Sequence, residues 1–381
     1  MSLDSWRGHA GSRLLDPGYR YWRAVTLDGQ QVVSNTRKRT QKGYGYSRKD
    51  AYEARLRAGV CTHDEVRQLL ELIVTNAALR PPVEEYLKTT TKALIVDEVF
   101  DGNRLDMMIV ALAAYAKVPC TVIGDPWQAL YQFRGAEPDL VQKIISRMRF
   151  KRLEVMGSHR FQTTEMQNLA RELRTGTGVA VRSGSARDVN VVLSSHWSHL
   201  WNVGDHVLPL AFGQLSNRTD AALAILLEWF LLSRFGRIST RGAEAALFLG
   251  MDPGILHGDL TVLAPVIDYL AEGTAEDARA ALDLLRQIVG TMCDGSIRRL
   301  KDTEEAIRIR RLQHLARRLR ATHLIPGMTI HHAKGREWDH VGVRLSDSQE
   351  QQLTRGLSQE RESDRALYVA LTRARRSVRL V

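Results

Sequence analysis

Two short apolar runs that end in acidic residues constrain this chain more than any other feature. Residues 93–96 (ALIV) lead into Asp97 and Glu98, and residues 121–123 (TVI) lead into Gly124 and Asp125, with an apolar helical stretch at 107–117 between them. Unbroken apolar runs of this length suit strands buried on both faces, and the order strand, helix, strand is what a parallel sheet requires. The alternation then restarts. Residues 152–156, 189–193 and 260–264 read as strands, 220–235 as a helix, and 341–345 and 378–381 as closing strands. Residues 63–87 carry a helical pattern, and a strongly helical insert lies between 267 and 326. The expected fold is α/β, with two lobes built on parallel sheets and a small helical insert in the second. A chain of 381 residues is long enough for both lobes.

Ligands of open α/β sheets sit at the carboxyl edge. Asp97 and Glu98 fall on that edge, where one carboxylate can hold Mg²⁺ through water and its neighbour can take a proton from an attacking water. Taken alone, the pair reads first as the cap of a following helix. Lys and Arg number 54 against 43 Asp and Glu, a net charge of +11. That field attracts polyanions; nucleic acid is the partner it favours, an anionic membrane surface the other. The most apolar stretch, 221–235, is too short to span a bilayer and carries Glu228, so it reads as a buried helix. The amino terminus has neither the apolar core nor the cleavage site of a secretory signal, and a cytoplasmic location is expected. Cys61, Cys120 and Cys293 form no CxxC, and no disulfide framework or zinc ribbon is expected.

Two basic segments have open readings. Arg37, Lys38, Arg39, Lys42, Arg48 and Lys49, interleaved with Tyr44 and Tyr46, suit either a segment that tracks phosphates and stacks bases or a solvated loop. The helical stretch 297–322, with Arg308, Arg310, Arg311, Arg317, Arg318 and Arg320, suits a solvated helix face or a reduced accessory domain.

Four strings occur in order: LIVDEVFD (94–101), GDPWQALYQFRGA (124–136), MTIHHAKGREWD (328–339) and RALYVALTRAR (365–375). As a set they resemble the motifs of superfamily 1 helicases of the UvrD/Rep type, with a weaker match at Ser2-Leu3-Asp4-Ser5-Trp6. The resemblance implies two RecA-like lobes of the P-loop-NTPase type, the first incomplete. Residues 1–90 would be a remnant of the first lobe and its accessory insert, and 91–150 that lobe itself. The second lobe would occupy 151–267 and 327–381, interrupted by a reduced accessory domain at 268–326. ATP and Mg²⁺ are the implied cofactors and single-stranded or partly duplex DNA the implied partner, with no membrane. Carried over by position, Asp97 is the Mg²⁺ ligand, Glu98 the catalytic base and Gln128 a γ-phosphate sensor. Arg160 and Arg373 are γ-phosphate contacts that stabilise transition-state charge, and Glu337 contacts the ATP ribose. Phe133 stacks on a base, with Tyr131, Arg134, Thr329 and His331 also facing DNA.

The departures are informative. Phe100 stands where the family has glutamine, Ser158 and His159 precede Arg160 in place of Asn-Tyr, and Arg336 replaces a leucine. No GxxxxGK[ST] occurs in the sequence, so the backbone cradle and lysine that hold ATP phosphates are not supplied. Three accounts follow: an amino-terminally shortened helicase, which is favoured; a complete protein that keeps DNA binding without turnover; or half of an engine whose partner chain brings the phosphate loop. The implied activity is ATP-dependent 3′ to 5′ translocation on DNA, deficient in ATPase in this sequence. A non-catalytic DNA- or partner-binding module is the alternative, and a nuclease using Asp97, Glu98 and Asp101 as a metal cluster is a third reading.

Overall fold

The computed structural model describes residues 23–28, 31–36, 54, 56–58, 63–155, 157–236, 241–270 and 273–381. The opening, with Ser2–Trp6, and the basic segment 37–49 lie outside the described residues. The chain divides into two compact units, Met1–Glu154 and Val155–Val381.

In the first unit, β1 (Arg23–Asp28) and β2 (Gln31–Thr36) pair antiparallel, and helices α1 (His63–Thr75) and α2 (Arg80–Thr90) follow. Strands β3 (Leu94–Val96) and β4 (Cys120–Val122) pair in parallel, with Leu94 opposite Cys120 and Val96 opposite Val122. The crossover between them is α3 (Arg104–Tyr115), started by a capping box in which the Asn103 side chain accepts from the chain ahead and Asp106 reaches back to the Asn103 N–H. Helix α4 (Pro138–Arg147) closes the unit. One face of the β3–β4 pair is packed: Leu94, Val96 and Val122 lie against a core of Val99, Phe100, Met107, Val110, Ala129 and Val141. The other face is open, with Ile95 68% and Ile123 49% exposed. Parallel sheets are normally covered on both faces.

The second unit is built on a five-stranded parallel sheet in the order β6-β7-β5-β8-β9. Its strands are β5 (Val191–Ser194), β6 (Val207–Pro209), β7 (Ile325–Thr329), β8 (Trp338–Arg344) and β9 (Ala374–Leu380). The helices are α5 (Thr164–Thr175), α6 (Trp197–Trp201), α7 (Arg218–Phe235), α8 (Gly242–Leu249), α9 (Ala264–Tyr269), α10 (Ala275–Met292), α11 (Asp302–Leu319), α12 (Ile330–Ala333), α13 (Asp347–Arg355) and α14 (Glu362–Leu371). Helix α7 is apolar all round and largely buried, and among the described residues no helix is long and apolar enough to cross a membrane. The fold is thus α/β with parallel sheets of two and five strands, as RecA-like helicase lobes have.

Two expected strands are absent. Residues 152–155 are irregular, with Leu153 and Val155 exposed, so their apolar alternation covers no sheet. Residues 260–264 form a 3₁₀ turn, Thr261–Leu263, entered through the Asp259 carboxylate, which accepts from the Thr261 N–H at 2.8 Å. Leu260 and Leu263 are both buried at a spacing of three, which suits a helical turn rather than a strand. Strands β6 and β7 were not expected. Gly327 in β7 has no room for a side chain, because a Cβ there would stand 3.0 Å from Val207 Cγ1.

Candidate functional site

Asp97 follows directly on β3, exposed, with its Oδ1 accepting from the Glu98 N–H at 2.8 Å. Glu98 takes a left-handed backbone, φ 51 and ψ 41. A side chain with a Cβ adopts that conformation at a cost of roughly 1 kcal/mol or more, and this tight reversal holds both carboxylates at the carboxyl end of the strand. Beside them, at the end of β4, Asp125 accepts from Trp127 N at 3.1 Å and from Gln128 Nε2 at 3.0 Å, which fixes the Gln128 amide. Backbone bonds Ile123 N to Val96 O and Val99 N to Ile123 O, 2.8 and 2.9 Å, tie the two strand ends together. The structure therefore brings Asp97, Glu98 and Gln128 to one edge of one parallel pair.

Phe100 turns inward. It is buried in the apolar core of the unit, and a Cβ on Gly124 would stand 3.0 Å from its ring. The residue that replaces an expected amide is a packing residue beneath the second loop. Asp101 Oδ1 accepts the Leu130 N–H at 3.2 Å, joining the two motif loops. Among the described residues no group of three or more His, Cys, Asp or Glu is placed to hold a metal.

An exposed carboxylate at a strand end suits Mg²⁺, a cation that keeps several waters and relies on substrate phosphates for other ligands. Asp97 fits that half of an ATP site. The phosphate cradle is not found among the described residues, and the chemistry goes no further than what Asp97, Glu98 and Gln128 can offer.

Downstream, Gly135 at φ 90 closes a 3₁₀ turn over Gln132–Arg134. Phe133 is 63% exposed, its ring centroid 6.1 Å from that of Tyr131 at a tilt of 56°. The Arg134 guanidinium lies over both rings, 5.2 Å from Tyr131 and 5.4 Å from Phe133. An exposed aromatic face beside a guanidinium is the arrangement that stacks bases irrespective of sequence.

In the second unit, Arg160 Nε donates to Glu337 Oε1 at 2.7 Å and Arg160 Nη1 to the Thr372 carbonyl at 3.2 Å. Arg373 is 1% exposed, its Nε donating to Val369 O at 3.2 Å, while its carbonyl accepts from Trp338 N at 3.1 Å. The three residues expected at nucleotide thus share one corner, at the amino ends of β8 and β9. Thr329 sits elsewhere, at the carboxyl end of β7, level with Ser194 and Arg344. Six residues of β8 separate Arg344 from Trp338, so the two clusters stand roughly 20 Å apart along the strands. Thr329 is buried, and its Oγ1 pairs with His332 Nδ1 at 2.6 Å. His331, the expected DNA contact, is half-buried one residue before that partner.

The arginine-rich helix α11 is solvated on one side, with Arg310, Arg317 and Arg320 exposed, and buried on the other. Arg308 and Arg311 both bind the buried Asp220 of α7, at 2.8 and 2.7 Å. Arg318 is 0% exposed and donates to the carbonyls of Val207, Trp201, Gly204 and His314 at 2.5 to 3.0 Å, its guanidinium 4.7 Å from the Trp201 ring centre. Burial pushes its pKa down to about 10. Arg286 of α10 holds Glu305 through two bonds of 2.6 Å. Sequence reasoning missed this clamp, because Asp220 is 88 residues from Arg308 and nothing local marks it as a partner.

The two units are α/β with parallel sheets, and the first carries an acidic pair at a strand end followed by an exposed aromatic loop. The family described as UvrD/REP helicase N-terminal domain matches residues 31–149, and that described as UvrD-like helicase C-terminal domain matches residues 327–381. Over those residues the chain is superfamily 1 helicase-like. A comparison with curated proteins gives no match.

Proposed function

We propose that this chain is a UvrD/Rep-like, single-stranded-DNA-binding helicase body that, with the sequence given, turns over ATP poorly. The observation that carries this reading is the meeting of Asp97, Glu98 and Gln128 at the carboxyl edge of one parallel strand pair, with the exposed Tyr131–Phe133 loop directly after it. Asp97 would hold Mg²⁺, Glu98 would accept the proton of the attacking water, and Gln128 would report on the phosphate. Arg160, Arg373 and Glu337 are assigned to nucleotide, and Phe133, Tyr131, Arg134, Thr329 and His331 to DNA. When bound, ATP supplies the free-energy drop that drives 3′ to 5′ translocation. One feature supports poor turnover: the sequence has no GxxxxGK[ST].

A second reading, a DNA- or partner-binding module without catalysis, is favoured by Phe100, whose burial removes any polar link from that position. Titration of a labelled oligo-dT with the protein, with and without ATP and Mg²⁺, separates the two. The helicase body expects salt-sensitive binding that Phe133→Ala weakens and that nucleotide shifts severalfold. Binding indifferent to ATP would favour the module, and no single-strand binding would sink both.

A further inference from the structure

A cation of helix α1 stands at the aromatic loop although it is remote in sequence. A Cβ built on Gly135 would lie 3.8 Å from Arg67 Nη2 and 4.0 Å from Nη1, so the guanidinium of Arg67 borders the turn that carries Phe133 and Arg134. We infer that Arg67 is a nucleic-acid contact, one of two guanidiniums that take a backbone phosphate while the neighbouring Tyr131–Phe133 rings take a base. The inference rests on the nucleic-acid reading of that loop.

Three observations argue for it. First, the Arg67 guanidinium stands at van der Waals distance from the Gly135 position, which places it beside the turn whose left-handed closure at φ 90 Gly135 supplies. Second, Arg134 has no carboxylate partner among the described residues; its guanidinium lies over the two rings and keeps its N–H edge for an anion. Third, Arg67 is weakly held. Among the described residues its ion pair is with Glu71, 3.5 Å long, the two side chains 41% and 42% exposed, and it runs Arg to Glu along the helix, the less favourable order against the helix dipole. Exposed pairs of this kind contribute little and are screened by salt, so a phosphate can displace Glu71 at small cost. An aromatic pair flanked by two available guanidiniums matches single-stranded nucleic acid, whose bases offer faces and whose backbone offers one charge per nucleotide.

The test is a fluorescence-anisotropy titration of labelled oligo-dT with the 381-residue chain across a NaCl series, using Arg67→Ala, Arg67→Lys, Glu71→Ala and Phe133→Ala. Arg67→Ala is expected to weaken binding severalfold and to reduce the log–log salt slope by about 0.7, the loss of one phosphate on a single strand. Its thermal unfolding should match the parent, since the side chain is exposed. Arg67→Lys should restore most of the slope, and Glu71→Ala, which frees the arginine, should tighten binding. A parental slope in Arg67→Ala while Phe133→Ala weakens binding overturns the assignment of Arg67 and leaves the loop reading standing. No binding by the parent chain overturns both.

Discussion

Replacing Arg318 with methionine tests how α11 is held to the sheet. The side chain is fully buried, and its guanidinium donates to four carbonyls, those of Trp201, Gly204, Val207 and His314. A typical buried hydrogen bond contributes about 1 kcal/mol net, and a buried acceptor left without a donor costs about 1 to 3 kcal/mol. Methionine fills much of the volume but takes a donor from the carbonyls of Trp201, Gly204 and Val207, of which Gly204 keeps the Val207 N–H, and removes the cation from the Trp201 ring. Against this, the arginine itself is desolvated, as its lowered pKa of about 10 records. The expected net loss is about 1 to 3 kcal/mol, the cost of a buried acceptor left without its donor together with lost packing. Equilibrium urea unfolding followed by circular dichroism reads it as a lower midpoint at unchanged slope. A variant within about 0.5 kcal/mol of the parent, the scatter of surface substitutions, would refute the clamp.

Acid should destabilise the second unit in two steps. Burial holds His199, His206 and His314 below the ordinary imidazole value of 6.5, aided by His196 and Arg344 at His199, Arg187 and Arg318 at His206, and Arg317 and Arg318 at His314. With depressed folded values, their stabilising contribution is complete above pH 6.5 and is lost as pH falls through those values; Glu305, held down by the Arg286 hydrogen bond, adds a later loss below its ordinary 4.5. Melting temperatures that stay flat or rise from pH 7.5 to 5 would contradict this. Gly242→Ala would set a Cβ 2.4 Å from Glu228 Oε2, inside contact distance, and should cost about 1 to 3 kcal/mol in urea unfolding through overpacking beside a buried carboxylate. Phe100→Gln, which restores the family amide, puts a polar group into the apolar core of the first unit; a loss of about 3 kcal/mol is expected, and unchanged stability would mean the ring is not a packing residue.

The motif residues were legible because their signal is local: an apolar run, then Asp97-Glu98, or Gly124-Asp125-Pro126 and the aromatic loop. What was lost is long-range or non-ideal. Strand β7 carries Pro326 and Gly327, residues that argue against a strand. It tolerates the proline because pairing with β5 begins only at Gly327 opposite Val192, one residue later. Residues 260–264 were misread because a leucine spacing of three and a strand alternation are hard to tell apart in five residues. The arginines of α11 looked solvated because Asp220, which neutralises two of them, lies on another helix far back in the chain. Arg67 escaped for the same reason: it reaches the loop only through the packing of the first unit.

The central claim is tested most directly by the steady-state rate of ATP hydrolysis of this chain with single-stranded DNA present, measured beside Glu98→Gln. The account predicts no DNA-stimulated rate above that of the variant. DNA-stimulated turnover that Glu98→Gln abolishes would contradict it and show that the chain holds its phosphates by means other than a GxxxxGK[ST] loop.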